Sequence, residues 1–250
     1  MWPYPKIVAH RGGGTLAPEN TVAGLRCGLA HGYRAVEFDV MLSKDGVGVV
    51  VHDPALGRTV KGFGNVFDYS ADELGAMDAG GWFGAEFSGE PVPSLRQFIE
   101  YCRAQQIWMN IEIKPAPGFE VETGRLVAAV ARDYFASEIA AGDLARVPLL
   151  SSFSFDALLA ARHSAPDLPR GFLLDRIGGD WREQAGALAA CALHTNHRHL
   201  TAALADAVKQ AGLGLFCYTV NDIRRARELL DWGVDAFCTD RIDLIAADFS

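Results

Sequence analysis

Short apolar runs recur along the chain and end in polar residues: 7-IVAH-10, 35-AVEFDVML-42, 107-IWMNIEIK-114, 147-VPLLSS-152, 170-RGFLL-174, 191-CALH-194, 213-LGLFCYTV-220 and 234-VDAFC-238. Their length and content of branched residues fit buried strands. Between them the apolar period changes. Leu95, Phe98, Ile99 and Cys102 fall at i, i+3, i+4 and i+7, one helical face, and Ser94 with Gln97 forms a capping-box pattern at its start. Asp222 opens another helix through Ile223, Ala226 and Leu230, which Gly233 can close. Strands alternating with helices imply right-handed crossovers and parallel pairing, so eight such units predict an α/β fold, a closed (β/α)8 TIM barrel. An open doubly wound sheet is the alternative, but no glycine-rich dinucleotide fingerprint follows any strand.

Two stretches break the rhythm. In 43-SKDGVGVVVHD-53 the Asp45-Gly46 pair signals a two-residue hairpin turn, which leaves no space for a crossover helix. With Lys44 paired to Val47, counting outward predicts His52 opposite Asp39. Residues 53–93, rich in glycine and aromatics, are too long for a plain loop and too few for an independent core. They are expected to form a small insert over the C-terminal face of the strands, within one domain spanning residues 1–250. Trp82, Phe83 and Phe87 are expected to supply the core of that insert.

Composition narrows the partners. The 250 residues are 50% hydrophobic, with 23 Lys and Arg against 31 Asp and Glu, a formal net charge of −8. With no basic tract, nucleic acid is excluded as an expected partner, and an anionic substrate must be met by local cations or a metal. Cys27, Cys102, Cys191, Cys217 and Cys238 are scattered without metal-like spacing and read as reduced core thiols. No signal-like segment opens the chain, and no run approaches the roughly 20 apolar residues of a membrane span. The expectation is a cytoplasmic protein without stable membrane association.

Charge then appears where a barrel should be apolar. Glu37 and Asp39 share one face of 36-VEFDV-40, and Glu112 and Lys114 share one face of 111-IEIK-114. Burying unpaired carboxylates costs several kcal/mol, so three at strand ends need a common cation. All-oxygen ligation by Glu37, Asp39 and Glu112 suits Mg2+, Ca2+ or Mn2+. A buried network with Arg11 and Lys114 is the structural alternative. His10 and His52 flank the same position and are candidates for an acid/base pair.

These residues also carry a resemblance. The set 10-HRGGGTLAPENT-21, 37-EFD-39, 45-DGVGVVVHD-53, the LGRTVKGFG segment from Leu56, 79-AGGWF-83 and 112-EIK-114 resembles the glycerophosphodiester phosphodiesterases. So do 218-YTVND-222 and 233-GVDAFCTDR-241, and the likeness weakens between about 120 and 210. It implies a TIM barrel with a small insert, one divalent cation, and hydrolysis of glycerophosphodiesters, such as glycerophosphocholine or glycerophosphoethanolamine, to sn-glycerol 3-phosphate and an alcohol. It also implies Glu37, Asp39 and Glu112 as metal ligands, His10 and His52 as catalytic residues, and Arg11 and Lys114 as phosphate partners. Tyr218 stands where the family usually has tryptophan, at the alcohol end of the substrate. The nucleophile is either water or the glycerol 2-hydroxyl; of the histidines, His52 is expected to be the acid and His10 the base. The rival readings are a lysophospholipid phosphodiesterase of the lysophospholipase D type, with the insert's aromatics gripping an acyl chain, and a non-catalytic phosphodiester-binding barrel. A metal-independent barrel of the phospholipase C kind, using two histidines and an arginine, is a further rival.

Overall fold

The computed structural model of the chain describes residues 2–250. Its elements run β1 (Ile7–His10), α1 (Val22–Ala30), β2 (Ala35–Leu42), β3 (Gly48–Val50), α2 (Ala71–Gly75), α3 (Leu95–Ala104), β4 (Trp108–Ile113), α4 (Glu120–Tyr134) and α5 (Ala136–Ala140). The second half continues with β5 (Leu149–Ser152), α6 (Phe155–Ser164), β6 (Arg170–Leu174), α7 (Trp181–Leu188), β7 (Ala192–Asn196), α8 (Ala202–Gln210), β8 (Gly214–Tyr218), α9 (Ile223–Asp231) and β9 (Ala236–Thr239). The strand order is β1-β9-β8-β7-β6-β5-β4-β2-β3, and a β1–β2 pairing closes the ring. The eight strands other than β3 are all parallel to their neighbours, which makes the fold a (β/α)8 TIM barrel with an added antiparallel strand.

Burial on both faces is what the apolar runs report: all eight residues of β2 and all six of β4 are buried. Val36, Phe38 and Val40 turn outward into the helical layer, where the Phe38 ring meets Phe98 of α3 at 4.5 Å. A separate inner cluster of Tyr4, Val8, Ala35, Trp108, Leu149, Phe216, Ala236 and Cys238 fills the barrel. Tyr4 stacks on Trp108 at 4.7 Å and meets Trp2 edge-on at 5.0 Å, so aromatics plug the N-terminal end. Each such side chain removed from water contributes roughly 1.5–3 kcal/mol, and the plug leaves the C-terminal mouth as the open end. The capping box at Ser94 and Gln97 and the N-cap at Asp222 both form, and Gly233 takes a φ of +83° just beyond α9.

The hairpin differs from its expected register by one residue. Val40 pairs with Val50, Met41 with Val49 and Leu42 with Gly48, so Val51, whose amide donates to the Asp39 carbonyl, lies opposite Asp39. The cause is a three-residue turn, Lys44-Asp45-Gly46. Ser43 donates to and accepts from Val47, its hydroxyl also donates to Asp45, and only Gly46, at φ +73°, takes the left-handed conformation that closes it. His52 therefore lies beyond the paired strand, on the turn into the insert.

The insert packs on that hairpin beside the mouth. Its buried core is aliphatic: Val60, Val66, Leu74, Ala79 and Val92 close over Met41, Val49 and Val51 of the hairpin. The expected aromatic core is absent from this cluster. Trp82 is 45% exposed and stacks edge-on against Phe83, which meets Phe87 in the same way. The Glu90 carboxylate accepts from the Ala23 amide and ties the insert to the start of α1. Among the described residues no helix is long and apolar enough to cross a membrane.

Candidate active site

The loop after β1 is shaped by backbone contact. Arg11, Gly12 and Gly14 all have positive φ, and a Cβ on Gly14 would come within 2.1 Å of the Asp240 carbonyl oxygen. Glycine alone lets the loop lie this close to the chain after β9. The following Pro-Glu-Asn-Thr segment is a set of clamps. Glu19 accepts from Arg11 Nη1 at 2.8 Å and from both terminal nitrogens of Arg58. Asn20 donates to Asp39 Oδ2 at 2.9 Å, and Thr21 caps α1 by accepting from the Gly24 amide.

Strand register gathers the carboxylates. His10 pairs with Glu37, and Asp39 pairs with Glu112, so the three acids project from neighbouring strands toward the mouth. All are buried, and one oxygen from each lies within 4.8 Å of the others. Arg11 Nε lies 3.3 Å from Asp39, and Lys114 Nζ lies 3.4 Å from both Asp39 and Glu112.

Those two cations do not neutralise three acids. Burial tends to raise the Asp39 pKa, but Arg11, Lys114, His52 and the Asn20 amide outweigh it and hold the group below its usual value. Burial and the neighbouring carboxylates instead push Glu37 well above the usual range, and burial with the Asp39 charge raises Glu112 to about 7. A cluster strained in this sense, lined only by oxygen donors, fits a hard divalent cation. Glu37, Asp39 and Glu112 are the residues that could hold it.

The two histidines stand on either side. His10 Nδ1 is 2.5 Å from Asp240 Oδ1, and its Nε2 is 3.7 Å from Glu37. Asp240 is in turn fixed by the Asn221 side-chain amide at 2.9 Å. His52 Nδ1 is 2.5 Å from Asp53 Oδ1, and its Nε2 is 2.7 Å from Lys114 Nζ. Asp53 is paired with Arg58, which holds its pKa down at about 2. Burial lowers the His52 pKa, the nearby Arg11 and Lys114 charges lower it further, and Asp39 opposes them.

A cavity of about 230 Å³ connects these groups; His10, Arg11, Glu37, His52, Glu112, Lys114 and Tyr218 all line it. Asp39 lies behind the cavity wall, against Arg11 and Lys114. Tyr218, half-buried, donates to the Leu174 carbonyl and packs edge-on against Phe153 at 5.6 Å. Sequence reasoning missed the orienting layer of Asp53, Asp240, Asn20, Glu19 and Asn221. The signal for all five was present, since each lies in one of the motifs at 10–21, 45–53, 218–222 and 233–241, but only the folded ring brings Asp240 to His10.

A barrel whose mouth gathers three buried carboxylates, two oriented imidazoles and the cations Arg11 and Lys114 has the groups that phosphodiester hydrolysis requires. The chain belongs to the glycerophosphoryl diester phosphodiesterase family, whose sequence signature matches residues 10–244. A phosphodiesterase of Oleispira antarctica, solved in complex with the product sn-glycerol-3-phosphate, is 34% identical and superposes with a TM-score of 0.86 over 94% of this chain and 93% of that one. The Bacillus subtilis protein YhdW is 33% identical over 97% of both chains. A glycerophosphodiester phosphodiesterase of Caldanaerobacter subterraneus is 32% identical over 94% of this chain and 93% of its own.

Proposed function

We propose that residues 1–250 act as one catalytic unit that hydrolyses glycerophosphodiesters to sn-glycerol 3-phosphate and an alcohol, with Mg2+, Ca2+ or Mn2+ held by Glu37, Asp39 and Glu112. The observation that carries this reading is a cluster of three buried carboxylates, Glu37 and Glu112 on the cavity and Asp39 behind them, beside Arg11, Lys114 and two carboxylate-oriented histidines on the same cavity. The bound cation would supply charge neutralisation and polarisation of the phosphodiester. Arg11 and Lys114 bind and orient the remaining phosphate oxygens.

The histidine roles follow from hydrogen-bond direction. An ammonium can only donate, so Lys114 requires a lone pair on His52 Nε2, and His52 Nδ1–H must donate to Asp53. A neutral imidazole whose Nε2 lone pair is held at the cavity wall by Lys114 suits the proton acceptor once the Lys114 ammonium turns to the phosphate. His10, with carboxylates at both ring nitrogens, suits the proton donor to the departing alkoxide. This is the reverse of the assignment expected from the sequence. Asp53 and Asp240 position the rings.

The lysophospholipid alternative draws no support from Trp82, Phe83 and Phe87, none of which lines the cavity. A soluble small-molecule substrate and a cytoplasmic setting agree with the five free cysteines and the acidic net charge. The test is release of the free alcohol, choline or ethanolamine, from a panel of glycerophosphodiesters and from lysophosphatidylcholine, in the presence and absence of chelator, with glycerol 3-phosphate identified as the second product of the former. Chelator-sensitive release from glycerophosphocholine or glycerophosphoethanolamine is expected. Preference for lysophosphatidylcholine, or release unaffected by chelator, would overturn the reading.

A further inference from the structure

Beneath the carboxylates the barrel interior carries polar groups that the mechanism does not use. Among the described residues, buried side-chain atoms without a protein hydrogen-bond partner include Asn110 Oδ1, Ser151 Oγ and both ring nitrogens of His194. All three residues are buried, His194 and Ser151 completely. Such atoms are rarely left alone in a folded interior, because each has given up its water without replacement.

Their placement is not scattered. Asn110 is on β4, Ser151 on β5 and His194 on β7, while β6 between the last two contributes Gly171. Ser151 pairs in register with Gly171, and a Cβ on Gly171 would come within 2.3 Å of His194 Nε2. The missing side chain therefore makes room for the imidazole to lie over β6 on the side of Ser151. The other constraint on the ring is Phe216, stacked on it at 4.6 Å and 22°. Burial keeps His194 neutral, with a pKa down at about 3, so one ring nitrogen donates and the other accepts. Asn110 and His194 line the same cavity as Arg11, Lys114, Glu37 and Glu112. The floor of the cavity thus offers acceptors and a donor, while its other walls include Leu173, Phe216 and Cys238.

We infer that Asn110 and His194, with Ser151 behind them, form a hydroxyl-recognising subsite that receives the glycerol end of the substrate and selects glycerol over other alcohols on the same phosphate. The inference rests on the glycerophosphodiester reading. A hydroxyl both donates and accepts, which matches a floor with the Asn110 amide oxygen and the neutral His194 imidazole. Glycerol is the small, polyhydroxylated half of the diester, able to enter a cavity of this size. The alcohol head group then points to the mouth, where Phe153 is 48% exposed.

The test compares wild type, His194→Phe and His194→Gln on glycerophosphocholine and on bis(p-nitrophenyl) phosphate, a diester without glycerol. Inhibition by sn-glycerol 3-phosphate and by inorganic phosphate is measured beside it. His194→Phe should lose about 10-fold more kcat/KM on glycerophosphocholine than on bis(p-nitrophenyl) phosphate, the effect of one hydrogen bond to a buried group. Inhibition by sn-glycerol 3-phosphate should weaken by a similar factor relative to inorganic phosphate, and His194→Gln should fall between. Equal losses on both substrates, or no loss on either, overturn the subsite. If neither variant folds, wild type is assayed on the phosphocholine ester of propane-1,2-diol, which lacks only the terminal hydroxyl. A loss of about 10-fold supports the subsite and an undiminished kcat/KM overturns it. Wild type that cleaves bis(p-nitrophenyl) phosphate but no glycerophosphodiester overturns the functional reading and the subsite together.

Discussion

His52 Nε2 lies 2.7 Å from the ammonium of Lys114, while its Nδ1 lies 2.5 Å from Asp53. The cation on one side and the carboxylate on the other fix a single neutral tautomer, whose Nε2 lone pair accepts from Lys114 at the cavity wall. The Lys114 charge also helps hold the His52 pKa below its ordinary value.

From this follows a shift in pH dependence. If His52 must be neutral to accept a proton, its pKa sets the acid limb of kcat/KM, and removing a nearby positive charge raises that pKa. Lys114→Met should therefore move the acid limb to higher pH as well as lower the rate. An acid limb that stays in place in this variant would show that the limb belongs to another group.

The histidine roles separate by leaving group. His10→Ala and His52→Ala should each lower kcat by roughly 10²-fold to 10⁴-fold on glycerophosphocholine. A p-nitrophenyl diester needs little protonation as it departs, so it should rescue His10→Ala and leave His52→Ala impaired. Rescue of His52→Ala alone would restore the opposite assignment.

How far the sequence reveals this site depends on the kind of contact. The convergence of Glu37, Asp39 and Glu112 is legible because charge on a strand buried on both faces requires a shared cation or a network with Arg11 and Lys114. Strand limits are equally plain where branched residues run unbroken, and β2 and β6 match their predicted spans. The hairpin register is misread because Asp45-Gly46 fits a two-residue turn and the Ser43 hydroxyl, which favours three, gives no periodic signal. Asp240 is invisible as a partner of His10 because 230 residues separate them and only ring closure joins β9 to β1. His194 ends one of the apolar runs and reads there as an ordinary boundary; its unpartnered nitrogens exist only in three dimensions.

Removal of metal tests the carboxylate cradle. Chelation should abolish turnover and Mg2+, Mn2+ or Ca2+ should restore it, since without a further cation Glu37 and Glu112 are driven toward their protonated forms. Glu112→Gln should raise the metal concentration needed for half-maximal rate. A metal titration identical to wild type would remove Glu112 from the ligand set.

The insert is bound by aliphatic packing, so its integrity should be read in stability before activity. Leu74 is 1% exposed among Val60, Val66 and the hairpin residues Met41, Val49 and Val51. Leu74→Ala should cost about 2–5 kcal/mol in denaturant unfolding, the range for a buried leucine. Trp82→Ala, at a half-exposed ring, should cost much less. Equal losses would assign the aromatics a core role after all.

His194 should also set part of the acid sensitivity of the fold. Its pKa is about 3 in the folded barrel, lowered by burial, against about 6.5 in the unfolded chain. Between those values the unfolded state binds the extra proton, so the stability His194 allows is fully present above about pH 6.5 and is lost as pH falls toward 3. The slope from this one group is about 1.4 kcal/mol per pH unit. His194→Gln cannot take up that proton in either state. Subtracting its unfolding free energy from that of wild type, measured in urea from pH 7.5 to 4.5, should give a difference flat above pH 7 and falling steadily below 6.5. A difference that stays level across the whole range would mean that His194 is protonated equally in both states, and that its ring is not held buried at the floor of the cavity.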